Sequence, residues 1–206
     1  MRECLVQSET GLRRLINFSD AVVAIAITLL ILPLVDAASS IGSIGVSSFL
    51  NHNETKLLAF FLSFFVIGRL WWGQHQVYER VNSYNSVLVG GMSLWLLSIV
   101  FLPFPTELLS SANHGSEGAS HAIYVGTLLV AAVAGLIQRV AIVHWPQLQV
   151  AEERGSVLLD PSIIFVVLMA TVFVIALLVP SNGLWALLLL LLSSPLERVV
   201  AWRRKK

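Results

Sequence analysis

Charge is what this sequence has least of. Of its 206 residues, 12% are Asp, Glu, Lys or Arg, where a soluble domain carries about one quarter. With 56% hydrophobic residues, the chain cannot cover a globular surface with polar groups, so lipid is the expected solvent for much of it. A single cysteine, Cys4, excludes an intramolecular disulfide and any multi-cysteine metal site. No His-x-x-x-His or Glu-x-x-His spacing occurs, and His52, His114, His121 and His144 fall near expected loops and interfaces. Metal catalysis is therefore not expected, and neither is an enzyme of any other kind, since Asp20 and His75 lack a nucleophile motif beside them. Residues 1–104 and 105–206 show no internal repeat, and the apolar runs have no Gly or Pro break at mid-length. Both absences speak against a transporter built from repeats with broken helices. The first apolar run ends at Pro33 without a small-residue cleavage signature, so a cleavable leader is not expected.

What the chain does have is six apolar stretches, giving an all-α integral membrane protein with one six-helix domain over residues 1–206. The expected spans are residues 18–35, 57–76, 87–104, 121–143, 162–179 and 184–202. Eighteen residues is near the lower limit for a helix crossing a hydrocarbon core of ~30 Å. The stretch Ala37–Asn53 is rich in Ser, Gly and Asn and reads as a loop with room for a short helix near Val46–Leu50. Pro103 and Pro105 close the third span, and Glu107–Ser120 reads as the loop after it. In the fourth span Ala131 and Gly135 form a small-xxx-small pair that lets helices approach closely. Pro161–Leu196 holds no charge and as one helix would be ~54 Å long, too long for one crossing. Pro180-Ser-Asn-Gly183 divides it into two spans.

Six spans put both termini on one side. Twelve of the 13 Lys and Arg residues fall on that side and only Lys56 on the other. The positive-inside rule then makes both termini cytoplasmic. The tail Arg203-Arg-Lys-Lys206 is explained by this topology signal or by anionic lipid, and no nucleic-acid partner is expected.

The first span carries the polar cargo. With 100° per residue and Ile25 as origin, Ala21, Thr28, Leu29 and Leu32 fall within about 60° of it. Asp20 lies about 140° away and Ser19 about 120° away on the other flank. If the Ile25 face lines a pore, Ser19 and Asp20 point into the protein. Ile and Leu facing a pore make a narrow, dry neck that gates by dewetting. A ring of Thr28 hydroxyls would coordinate a partly dehydrated cation. The plainer alternatives are an Ile25 face against lipid or another helix, and a Thr28 hydroxyl bonded to its own i−4 carbonyl. For Asp20 two readings stand. Asn17, Ser19 and Asp20 are all good helix caps. Alternatively Asp20 joins a polar network with Arg14, Arg69, Trp71, Trp72 and His75, which share its membrane depth.

The string Arg14-x-x-x-Phe18-Ser19-Asp20 opening a membrane helix resembles the signature of the transmembrane protein 175 family of potassium channels. Trp72-x-x-His75 and Leu102-Pro-Phe-Pro-Thr106 are similar to further family features. The resemblance covers the first half of the chain. One set of six spans is similar to the prokaryotic members, which assemble as tetramers. The family has no Thr-Val-Gly-Tyr-Gly filter, and none is present here. By position, the resemblance makes Ile25 the hydrophobic gate, Leu29 and Leu32 the further constriction, and Thr28 a selectivity residue. Arg14, Phe18, Ser19, Asp20, Trp72 and His75 then belong to the motif that packs the first helix on the second.

Together these readings lead to the expectation of a homotetrameric, potassium-permeable cation channel in a prokaryotic plasma membrane. Its partners are potassium ions, the lipid bilayer and copies of itself, and it needs no cofactor and no bound metal. The rival expectation is a proton-coupled transporter that relays protons through Asp20 and His75.

Overall fold

The computed structural model describes residues 9–39, 45–111, 117–153, 155, 157 and 159–178. The expected sixth span, the turn at Pro180–Gly183 and the basic tail lie outside the described residues. Those described form helices α1 (Glu9–Leu29), α2 (Leu32–Ala38), α3 (Val46–His52), α4 (Glu54–Tyr78), α5 (Ser86–Phe101), α6 (Pro103–Ser110), α7 (Glu117–His144) and α8 (Asp160–Leu178). Among the described residues, five stretches are long and apolar enough to cross a membrane: Glu9–Ala38, Glu54–Tyr78, Ser86–Ser110, Gly118–His144 and Asp160–Leu178.

Two of these five are broken, and proline accounts for both breaks. α1 stops at Leu29, and the chain tightens through bonds from Leu30 N to Ile27 O and from Ile31 N to Thr28 O, both 3.3 Å. Pro33 cannot donate to Leu29, and its ring crowds that carbonyl, so the α-helical ladder has to restart. α2 begins at Leu32 with Pro33 in its first turn, where a missing N–H costs nothing. The expected single span 18–35 is thus two helices, the first starting nine residues earlier than Phe18. Glu9 and Arg13 pair one turn apart at its start. The second break falls at Leu102. Pro103 and Pro105 do not end the helical path. They occupy the first turn of α6, which runs on to Ser110. The expected loop from Glu107 therefore begins as helix, and Glu107 accepts the Ser111 hydroxyl at 2.8 Å.

The centre of the fold is α7, which packs against α5 on one side and α8 on the other. Small residues allow this: Ala131, Ala132, Ala134 and Gly135 are all buried. Gly91 on α5 lies tight against α7, since a Cβ there would stand 2.8 Å from Gln138 Cγ. Asn85 caps α5 by accepting the Leu88 N–H at 2.9 Å. Trp95, Ile99, Leu102, Tyr124, Leu128, Met169 and Val172 fill the space between these helices.

Two polar layers cross this apolar core. Ser63 on α4 lies 2.8 Å from the Thr106 hydroxyl of α6 and 3.2 Å from the Tyr124 hydroxyl of α7. Nearer the other end, Gln138 Oε1 accepts from Gln74 Nε2 at 2.9 Å and from the Tyr78 hydroxyl at 2.6 Å. The Gln138 amide donates to Ala134 O at 3.2 Å. Below this layer the α4–α5 turn is stitched to the segment after α7, Asn82 N to Leu148 O at 2.9 Å and Val150 N to Arg80 O at 3.0 Å. α1 lies at the edge of this core, against α4, α5 and α6.

The candidate pore helix

α1 has one face in the protein and one outside it. Leu12, Ser19, Val23, Ala26 and Leu30 are buried. Those positions recur every three to four residues, the spacing of a single helix face. Val23 and Ala26 are 2% and 1% exposed, whereas Ile25 is 60%, Leu29 39% and Leu32 50% exposed. Arg14, Phe18, Ala21 and Thr28 lie on the same outer face. The break at Leu30–Ile31 falls between Leu29 and Leu32, so the outer stripe continues from α1 onto α2. The Thr28 hydroxyl donates to Ile25 O at 2.7 Å. The carbonyl it uses is i−3 rather than the expected i−4. Its donor is occupied, and its oxygen retains acceptor capacity on the outer face.

Ser19 and Asp20 turn the other way. Ser19 is buried, and Asp20 is half-buried with its Oδ1 accepting the Trp71 indole N–H at 2.8 Å. Asn17, Ser19 and Asp20 lie in mid-helix, two turns or more beyond Glu9, so none of them caps the start of α1. This bond ties Asp20 to the second long helix through Trp71. Trp71 also stacks on His75 with ring centroids 5.4 Å apart, and Trp72 stacks on the same imidazole at 5.8 Å. His75 Nε2 stands 3.4 Å from Glu79 Oε1, one turn further along α4. Asp20 and His75 are thus brought to the same place, with Trp71 in contact with both. Arg14 and Phe18 lie apart from that cluster. They line a shallow groove with Gly11, Leu15, Tyr84 and Val89.

In the sequence Trp71 shares the membrane depth of Asp20, but the motif set contains Trp72 and His75 and not Trp71. The signal was available, because indole is a donor with no acceptor of its own and sits one position before Trp72. Gln74, Tyr78 and Gln138 were missed as a unit. An amide inside an apolar span such as 121–143 is the sign that would have found Gln138. Among the described residues no three His, Cys, Asp or Glu side chains gather as a metal site would need.

These helices define a multi-pass, all-α integral membrane protein. Residues 14–103 match the family described as endosomal/lysosomal potassium channel TMEM175. A potassium channel of Chamaesiphon minutus is 35% identical over 135 residues, 65% of this chain and 66% of that protein. A potassium channel of Streptomyces collinus is 33% identical over 127 residues, 62% of this chain and 60% of that one. The match thus spans just under two thirds of each relative's length. The crystal structure of a lysosomal potassium-selective channel TMEM175 homolog from Chamaesiphon minutus has the same fold. It superposes with a TM-score of 0.76 at 22% identity, covering 91% of this chain and 98% of that one.

Proposed function

We infer that the protein is a potassium-permeable cation channel, passive and without a cofactor or chemical step. Its pore would be walled by the outer face of α1–α2 from each of four identical subunits, in a prokaryotic plasma membrane with both termini cytoplasmic. The observation that carries this reading is the character of that face. On α4 the exposed residues include Leu58, Phe61, Phe64 and Phe65, bulky side chains suited to acyl chains. The α1 face instead carries small Ala21 and hydroxyl-bearing Thr28 between Ile25, Leu29 and Leu32, with Arg14 at one end. The family match over residues 14–103 and the names of the relatives support potassium as the permeant ion. Ile25 with Leu29 and Leu32 would form a dry neck that conducts when wetted. Thr28 oxygens would supply a selective layer. That layer offers fewer ligands than a carbonyl filter, so discrimination among cations should be modest.

The transporter reading needs a proton to pass between Asp20 and His75. The group that touches both is the Trp71 indole, which donates one hydrogen bond and accepts none. It serves as a clamp on α1 and not as a relay. Potassium efflux from liposomes holding the purified protein, measured beside sodium, tests the proposal. Passive potassium efflux exceeding that of sodium supports the channel. Uptake that requires a proton gradient, with no passive flux, contradicts it.

A further inference from the structure

The outer face of α1–α2 bears a charge at each end. On the helical wheel Arg14 lies about 20° from Ile25, and Asp36 lies on the same side, rotated by a few tens of degrees more by the tightening at Leu30–Ile31. Both side chains are exposed. The Asp36 backbone carbonyl accepts the Ser39 hydroxyl at 2.6 Å, but its carboxylate has no partner among the described residues, and the same holds for the Arg14 guanidinium. Arg13, next to Arg14, is already paired with Glu9. The 22 residue steps from Arg14 to Asp36 span about 33 Å at helical rise, close to the thickness of a hydrocarbon core. The two charges therefore stand at opposite membrane surfaces. Lys56, the lone cationic residue expected on the Asp36 side, is half-buried on α4 and makes no ion pair with it.

We propose that Asp36 forms a ring of carboxylates at the outer mouth of the assembled pore, opposed by Arg14 at the inner mouth, so that the pore passes cations inward more readily than outward. The inference rests on the reading of α1–α2 as the pore wall in a symmetric assembly. Symmetry multiplies one carboxylate into a ring, and low-dielectric walls focus its field into the opening. Cations are concentrated where they enter from outside and depleted where they enter from the cytoplasm. The effect is long-ranged and therefore screened. It acts across a mouth when the Debye length is about 30 Å, near 0.01 M salt, and vanishes when it is about 3 Å, near 1 M.

Single-channel currents of the full chain in excised membrane patches, in symmetric potassium chloride at about 0.01 M and about 1 M, test this. The wild type should pass inward current about threefold or more above outward current at low salt and equal currents at high salt. Asp36→Asn should lose most of the low-salt inward excess, Asp36→Glu should keep it, and Asp36→Lys should reverse it. The unit current does not depend on how much protein folds, so a poorly expressed variant still reports. Equal wild-type currents at low salt overturn the proposal while leaving the channel intact, and so does an inward excess that survives in Asp36→Asn or at high salt. Absence of any wild-type potassium current removes the channel reading itself, and this inference with it.

Discussion

The indole N–H of Trp71 donates to the Asp20 carboxylate at 2.8 Å, across the interface between α1 and α4. The two residues are 51 apart in sequence, and their bond fixes the rotation of α1. Asp20 is held inward, so Ile25, five residues on and about 140° around, faces out. The energetic weight of the bond lies in what its loss would leave behind. A half-buried carboxylate without a donor costs about 1–3 kcal/mol. Trp71→Phe keeps the ring stacked on His75 and removes only the donor. It should lower thermal stability in detergent by an amount in that range, with Trp71→Ala lower again through the lost stack on His75. A melting temperature unchanged in Trp71→Phe would mean that water serves Asp20 equally well.

Gly91 and Gly90 make a matched pair. A Cβ at Gly91 would meet Gln138 Cγ at 2.8 Å, while one at Gly90 meets nothing within 4 Å. Gly91→Ala should push α5 from α7 and destabilise the protein by about 1–3 kcal/mol, the usual cost of overpacking. Gly90→Ala should be neutral or slightly stabilising, because alanine favours the helix. Equal melting temperatures for the two variants would mean that α5 and α7 do not cross this closely.

Gln138 is fully buried and accepts from both Gln74 and Tyr78. Gln138→Leu would leave two buried donors unpaired, a loss of about 2–4 kcal/mol. Combining it with Gln74→Leu and Tyr78→Phe should recover much of that loss, since an apolar layer without orphan groups is nearly neutral. Additive losses across the set, measured by denaturation, would show that the three side chains do not act as a unit.

On the proposed reading, Thr28 contributes its oxygen to the ion path and its hydrogen to Ile25 O. Thr28→Val keeps the branched shape and deletes the oxygen. It should weaken the preference for potassium over sodium in reversal-potential measurements while leaving the protein folded. An unchanged reversal potential would assign the hydroxyl to helix bonding alone.

Much of this was legible in the sequence, and the reason is periodicity. A membrane helix must divide its faces among protein, lipid and water, so the stripe of Ile25, Thr28 and Leu29 and the inward turn of Ser19 and Asp20 follow from 100° steps. Element ends were less legible. Glu9–Arg13 is polar and reads as a tail, yet one ion pair and the continuing helix carry α1 through it. Pro103 and Pro105 read as a stop, yet a proline in a first turn begins α6 as readily as it ends α5. Long-range partners were the least legible. That Asp20 meets Trp71 depends on how α4 is rotated, and α4 has nearly the same hydrophobicity all round. The Gln74–Tyr78–Gln138 layer has the same origin, since three polar groups scattered over two apolar spans become one feature only when packed.

The central claim is that the outer face of α1–α2 borders water in an ion path. The single cysteine makes it directly testable. With Cys4 replaced by serine, cysteines placed singly at Ile25, Thr28 and Leu32 should let a charged, membrane-impermeant thiol reagent block potassium current. A cysteine at Phe65 on the exposed face of α4 should be indifferent to it. Block at the α1–α2 positions and none at Phe65 is the predicted result. Labelling at none of the three positions, with currents intact, would place that face in lipid or in a dry interface and contradict the account.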